Sequence, residues 1–140
     1  MDVHDAIILA TQAHRGQKDK LGVDYIYHPL RVMLAMETDE ARMAAVLHDV
    51  VEDTWVTLDK LAREGYSSDV LAAVDAVTRR LGEVYLSEFI PRAKADPIGR
   101  LVKIADIEDN LARLQFLPSA SERDGMAARY EKALAMLREA

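Results

Sequence analysis

The segment AAVLHDVVEDT (Ala44–Thr54) sets His48, Asp49, Glu52 and Asp53 among Val46, Leu47, Val50 and Val51, neighbours that read as core. An unpaired carboxylate in apolar surroundings costs several kcal/mol, so these groups must be paired, metal-bound or partly wet. On a helix over 39–53, His48 and Glu52 are four residues apart, as are Asp49 and Asp53, which puts all of them on one broad face. An imidazole nitrogen and an adjacent carboxylate oxygen can share one divalent cation. Two ligands alone hold an ion weakly, so others must come from elsewhere in the chain.

Two candidates stand out. His28 lies in YIYHPL, immediately before a proline that starts a helix, so backbone geometry fixes its position. Asp106 lies in LVKIADIEDNLARL, a helix apolar almost all round, on which Lys103, Asp106, Asn110 and Arg113 form one narrow polar stripe. A polar stripe on a buried helix needs something polar to face. A cation held by His28, His48, Asp49 and Asp106 satisfies both helices at once. Two nitrogens, two carboxylates and no sulfur suit Mn²⁺ first, then Fe²⁺, with Mg²⁺ and Zn²⁺ as further fits. Coordination positions left open would take water and a phosphoryl oxygen, which is the chemistry of metal-assisted phosphate hydrolysis. In isolation His48-Asp49 reads equally well as a satisfied core pair; His28 and Asp106 tip the balance. Glu52 and Asp53 close a helix whose C-terminal dipole opposes carboxylates, so stability does not explain them. Lys18 and Lys20 flank the site and suit phosphate as point charges, and Lys103, by its place on the Asp106 stripe, is a further substrate-binding candidate, ahead of Arg113. Arg92, with Arg79 and Arg80 in RRLGEVYLSEFIPR, offers a second basic wall that could grip phosphate bidentately. Solvated loops and surface pairing compete with both of these readings.

The elements that must position these side chains are helical nearly throughout, with no alternating run for a strand. The spacing predicts helices at 2–13, 29–37, 39–53, 57–64, 67–79, 83–95, 97–116 and 121–138, an all-α bundle of about seven or eight helices in a single domain over 1–140. Pro29 and Pro97 suit first turns, Thr57 suits an N-cap, and Gly65 and Gly82 suit helix ends. Pro91 should kink or divide its helix. The last helix, with Met126, Tyr130, Ala133, Leu134 and Leu137 on one face, is expected to lie as a lid on the core.

Composition narrows the function classes. A net charge of −6 over 140 residues argues against nucleic acid as a partner, since no basic patch is advertised. Any phosphate must then be held by a local cluster of bases or by a metal. The absence of cysteine excludes disulfides and thiolate metal sites and suits a cytoplasmic setting. No apolar run approaches the ~20 residues of a membrane span, and MDVHDAIILATQAHRG has acids where a secretion signal is positive. Oligomeric state is not readable from such a pattern.

Taken in order, AHRGQKDKLGVDYIYHPLRV, AAVLHDVVEDTWVTLDKL and VKIADIEDNL resemble the HD superfamily of metal-dependent phosphohydrolases. Within it they are most similar to the hydrolase domain of Rel/Spo-type enzymes that degrade (p)ppGpp. The resemblance implies a single-metal site at His28, His48, Asp49 and Asp106, with Glu52 and Asp53 as the acid/base and water-orienting pair. It also implies that Asn110 contacts a small phosphorylated substrate. Departures are equally specific. The Arg-Lys pair usual before YxxHP reads Asp19-Lys20, a third motif of Asp-Arg-Leu-His-Asn reads Asp106-Ile107-Glu108-Asp109-Asn110, and a following threonine is Arg113. The third motif is closer to that of small stand-alone bacterial HD hydrolases, Asp-x-x-Asp-Asn. The expected activity is phosphohydrolysis of a nucleotide or related metabolite, with the 3′-pyrophosphate of (p)ppGpp as leading substrate. A nucleotide-sensing HD module, or a 5′-nucleotidase or dinucleotide phosphatase of the same fold, are the rivals.

Overall fold

Local capping chemistry sets most of the helix starts. In the computed structural model, which describes residues 1–140, Asp2 and Asp5 cap each other's backbone reciprocally and open α1 (Val3–His14). Thr57 accepts the Lys60 N–H to open α5 (Leu58–Arg63), and Ser67 accepts that of Val70 to open α6 (Ser68–Ala76). Asp96 accepts the Gly99 N–H ahead of Pro97, opening α8 (Pro97–Leu114). Gly65 and Gly82 take φ of 96° and 78°, the left-handed backbone that stops a chain after a helix. With α2 (Tyr27–Leu34), α3 (Asp39–Val46), α4 (Val50–Asp53), α7 (Ile90–Ala95) and α9 (Ala120–Arg138), the chain has nine α-helices and one π-helical turn, Tyr85–Phe89. The fold is all-α, as expected; a lone bridge between Lys18 and Asp24 is its only strand-like pairing.

Three expected elements differ. The 39–53 helix is broken: α3 ends at Val46, a tight turn covers Leu47–Asp49, and α4 follows. The His48 N–H bonds the Ala45 carbonyl and the Val50 N–H bonds that of Leu47, three residues back instead of four. The 83–95 helix begins as the π turn, with the Ile90 N–H reaching back to the Tyr85 carbonyl. Pro91, lacking an N–H, sits in the first turn of α7, the division its ring predicts. Finally, α2 starts at Tyr27, so His28 lies inside the helix and Pro29 in its first turn.

Two apolar cores flank α8. One gathers α1, α2, α3 and α6 around Leu47, Val50, Leu61 and Val74, and receives Val102 and Ala105. The other joins Phe89, Ile90, Tyr130, Leu134 and Leu137, and receives Ile107 and Leu114 from α8. The α9 residues expected as a lid do cover this second core. The stripe Lys103–Asp106–Asn110–Arg113 therefore runs along the seam between the cores, facing α2 and the α3–α4 break. No helix is long and apolar enough to cross a membrane.

Candidate metal and phosphate site

The break before α4 is what brings His48 and Asp49 to one point. His48 is 1% exposed, and its Nδ1 donates to the Ala45 carbonyl at 2.5 Å, so Nε2 is the free nitrogen. It lies 3.0 Å from Asp49 Oδ2 and 3.3 Å from Asp106 Oδ1. From α2, His28 donates Nδ1–H to Asp109 at 2.6 Å and presents Nε2 to Asp106 Oδ1 at 2.7 Å. One ligand atom from each of His28, His48, Asp49 and Asp106 lies within 4.8 Å of all the others, and all four residues are buried.

The donor set fits a divalent cation. Both imidazoles are anchored through Nδ1, which fixes the tautomer and leaves Nε2 to bind. Burial pushes His48 toward the neutral form, but the charges and hydrogen bonds of Asp49 and Asp106 outweigh it and hold its pKa well above the usual value. Burial likewise opposes ionisation of Asp106, and Lys103, His28 and His48 override it, holding this carboxyl well below the usual range. A cation arriving in such a cluster replaces protons shared among its ligands.

Several surrounding groups are not evident from helical spacing. The Tyr25 hydroxyl donates to Asp49 Oδ2; desolvation, with the Asp49 charge next, keeps the phenol protonated and able to donate. Asp109 takes Nε–H and Nη–H of Arg31 at 2.7 and 2.9 Å while accepting from His28. The faint signals were there: Tyr25 precedes His28 by three residues, Arg31 follows it by three, and Asp109 follows Asp106 by three. His14 is buried and donates to Gln17 Oε1 at 2.7 Å, and Gln17 donates to the Asp53 carbonyl at 2.9 Å. The HRGQ segment thus buttresses the end of α4.

Glu52 and Asp53 face outward beside the ligands, with carboxylate oxygens within 4.8 Å of one another and of Asp49. Partial desolvation and then the neighbouring charges of Asp49 and Asp53 push the Glu52 carboxyl up to about 7. Asp53 is raised by the same two causes, desolvation first and then Asp49.

The expected phosphate-holding residues divide. Lys18, Lys20 and Asn110 line a cavity of about 330 Å³ that opens beside Tyr25 and His28. Lys103 is instead tucked beneath the ligands: its Nζ donates to Asp106 Oδ2 at 2.8 Å and lies 4.9 Å from the centre of the Phe89 ring. Arg92 is not brought to the cavity. Its guanidinium grips Glu83 through Nε and Nη2, both at 2.9 Å, and caps the carbonyls of Asp75 and Thr78 at the end of α6. Arg79 and Arg80 are engaged with Glu83 and Asp75 in the same corner, so the second basic wall is a brace. The two departures at Asp19 and Arg113 meet across the cavity in an ion pair of 2.9 Å.

Residues 6–129 match the family described as HD domain. The chain is 35% identical over 127 residues to a GTP pyrophosphokinase of Streptomyces coelicolor, covering 82% of this chain and 15% of that protein. It is 34% identical over 125 residues to a guanosine-3′,5′-bis(diphosphate) 3′-pyrophosphohydrolase of Aquifex aeolicus, covering 81% of this chain and 18% of that one. The chain thus spans less than a fifth of the length of these curated relatives. Among solved structures, a metazoan ortholog of SpoT described as hydrolysing ppGpp superposes with a TM-score of 0.85 at 27% identity, over 97% of this chain and 85% of that one.

Proposed function

Because the chain belongs to the HD domain family, we propose that it is a metal-dependent phosphohydrolase acting on a nucleotide or related phosphorylated metabolite. The observation that carries this reading is the convergence of His28, His48, Asp49 and Asp106 within 4.8 Å of one another, with the Nδ1 of each histidine engaged outside the cluster and its Nε2 turned into it. The donor set favours Mn²⁺ as the ion, with Fe²⁺, Mg²⁺ and Zn²⁺ behind it. Such an ion supplies Lewis acidity toward a phosphoryl oxygen and lowers the pKa of water.

The protein's own groups do the remainder. A carboxyl near 7, as on Glu52, can accept a proton from the attacking water and return one to the leaving oxygen at neutral pH. Asp53 orients that water. Lys103 keeps Asp106 anionic and aimed at the ion, and Asn110, at 3.4 Å from Asp106 Oδ1, reaches from the ligand cluster into the cavity to contact substrate. The names of the relatives support the 3′-pyrophosphate of (p)ppGpp as leading substrate. The cytoplasm is the setting that suits such a substrate.

A phosphate-release screen over ppGpp, nucleotides and phosphorylated cofactors with Mn²⁺ tests the reading. Glu52→Gln should retain the metal and lose 10²–10⁴-fold in turnover; full activity would remove Glu52 from the mechanism. The same variant should stabilise the metal-free protein at pH 8. A carboxyl raised in the folded state binds its proton more tightly there, so stability declines as pH rises from 4.5 toward 7. Glutamine abolishes that decline.

A further inference from the structure

The cavity beside the ligand cluster is lined by three basic side chains, Lys18, Lys20 and Arg113. Tyr25, His28 and Asn110 line its end nearest the ligands, and Arg113 lines it further along α8. Arg113 lies seven positions beyond Asp106, roughly 10 Å along the helix axis. Asp19 is the only acid in the lining, and its carboxylate already accepts three hydrogen bonds. Oδ1 accepts the N–H groups of Leu21 and Val23 at 2.8 and 3.0 Å, while Oδ2 accepts one Nη–H of Arg113 at 2.9 Å.

This leaves Arg113 held in place with most of its donors uncommitted, since a guanidinium carries five N–H groups. The two lysines are differently placed. Lys18 pairs with Asp24, and Lys20 pairs with Glu122 at 2.9 Å across the mouth of the cavity. Both pairs are about half exposed and so are weak and easily exchanged. The Glu122 carboxylate on Lys20 stands where an incoming anion would bind. An anionic group entering here meets one rigid cation, two exchangeable ones and no free acid. In the Rel/Spo-type pattern the positive charge belongs at the position of Asp19; in this chain it stands on the opposite wall, at Arg113.

We propose that Asp19 and Arg113 form the specificity element of this cavity, Asp19 fixing the guanidinium so that it grips a second phosphate of the substrate, further along α8 than the reacting one. What the pair adds to the reading above is the residue that selects a doubly phosphorylated nucleotide over a monophosphate. The planar fork matters as well as the charge, because guanidinium meets phosphate through paired N–H donors and an ammonium does not. The inference rests on the phosphohydrolase reading for the identity of the ligand, and its test is a binding ratio that does not depend on turnover.

Titration calorimetry of the Mn²⁺-loaded protein with guanosine 3′,5′-bisphosphate and guanosine 3′-monophosphate reads that ratio. The wild type should bind the bisphosphate about tenfold or more tightly than the monophosphate, the size expected for a charge-assisted hydrogen bond. Arg113→Met should bring the ratio to about one and leave monophosphate binding unchanged, with Arg113→Lys intermediate. Because Arg113→Met strands Asp19, the double variant Asp19→Asn/Arg113→Met should fold normally and give the same ratio of about one. Equal binding by the wild type, binding of neither ligand, or an unchanged ratio in both variants overturns the proposal. If the ratios behave as stated while no phosphorylated compound is hydrolysed, the specificity element stands and the catalytic reading falls.

Discussion

Two clusters of charge, one around Arg92 on α7 and one around Asp106 on α8, use the same chemistry to different ends. Around Arg92 every strong group meets a counterpart: three guanidinium nitrogens reach two Glu83 oxygens and the carbonyls of Asp75 and Thr78, and Glu83 also accepts the Arg80 N–H. Around Asp106 the groups are too many for one another. Two Nε2 atoms and two carboxylates crowd within 4.8 Å, while the outer nitrogens of both rings are already anchored on Asp109 and the Ala45 carbonyl. Residue type does not separate a brace from a site. Unused acceptors aimed at a common point do.

Substitutions sharpen that contrast. The largest effect is expected from Asp106→Ala, which should strip the bound metal and abolish turnover, because Asp106 Oδ1 is the atom to which His28 and His48 both turn. Next comes Asp109→Asn. Outer-shell partners of a ligating histidine typically affect metal affinity by 10–100-fold, and a loss in that range, read by competition with a chelator, is expected here with the fold intact. An unchanged affinity would mean that His28 needs no orienting partner. The smallest effect on activity belongs to Arg92→Met, which should leave turnover unchanged and lower the melting temperature. It should also flatten the acid limb of stability. The Arg92 hydrogen bond is the main cause that holds the Glu83 carboxyl down at about 2, against an ordinary 4.5. A depressed carboxyl contributes stability above its ordinary pKa, and this is lost as pH falls from 4.5 toward 2. Thermal melts from pH 6 to pH 3 would reveal the missing limb; a variant that melts like wild type throughout would make Arg92 more than a brace, or less.

The ligand residues were legible because a buried, otherwise apolar helix tolerates polar groups only where they are matched, and that singled out Asp106 and the His48-Asp49 pair. Their geometry was not legible. The apolar spacing of Met43, Val46, Leu47 and Val50 runs straight through Leu47–Asp49, so periodicity reads one helix where the hydrogen bonds of His48 make two. Arg92 was read toward phosphate because the acceptors that claim it, Glu83, Asp75 and Thr78, gather only when the π turn and Pro91 fold α7 back on α6. The Asp19–Arg113 pair joins residues 94 positions apart, a distance at which no local pattern operates. Asp109 needed only the step from Asp106 by three residues to a shared helix face.

The central claim is that these four ligands hold a divalent ion on which phosphate release depends. Its most direct test is to strip the wild-type protein with chelator, titrate Mn²⁺ back, and measure bound metal and phosphate release from ppGpp in the same samples, with Asp106→Ala alongside. The account predicts that release rises in step with one bound ion per chain and that the variant gains neither. Phosphate release that persists in the stripped protein, or a variant that binds the ion as well as wild type, would contradict it.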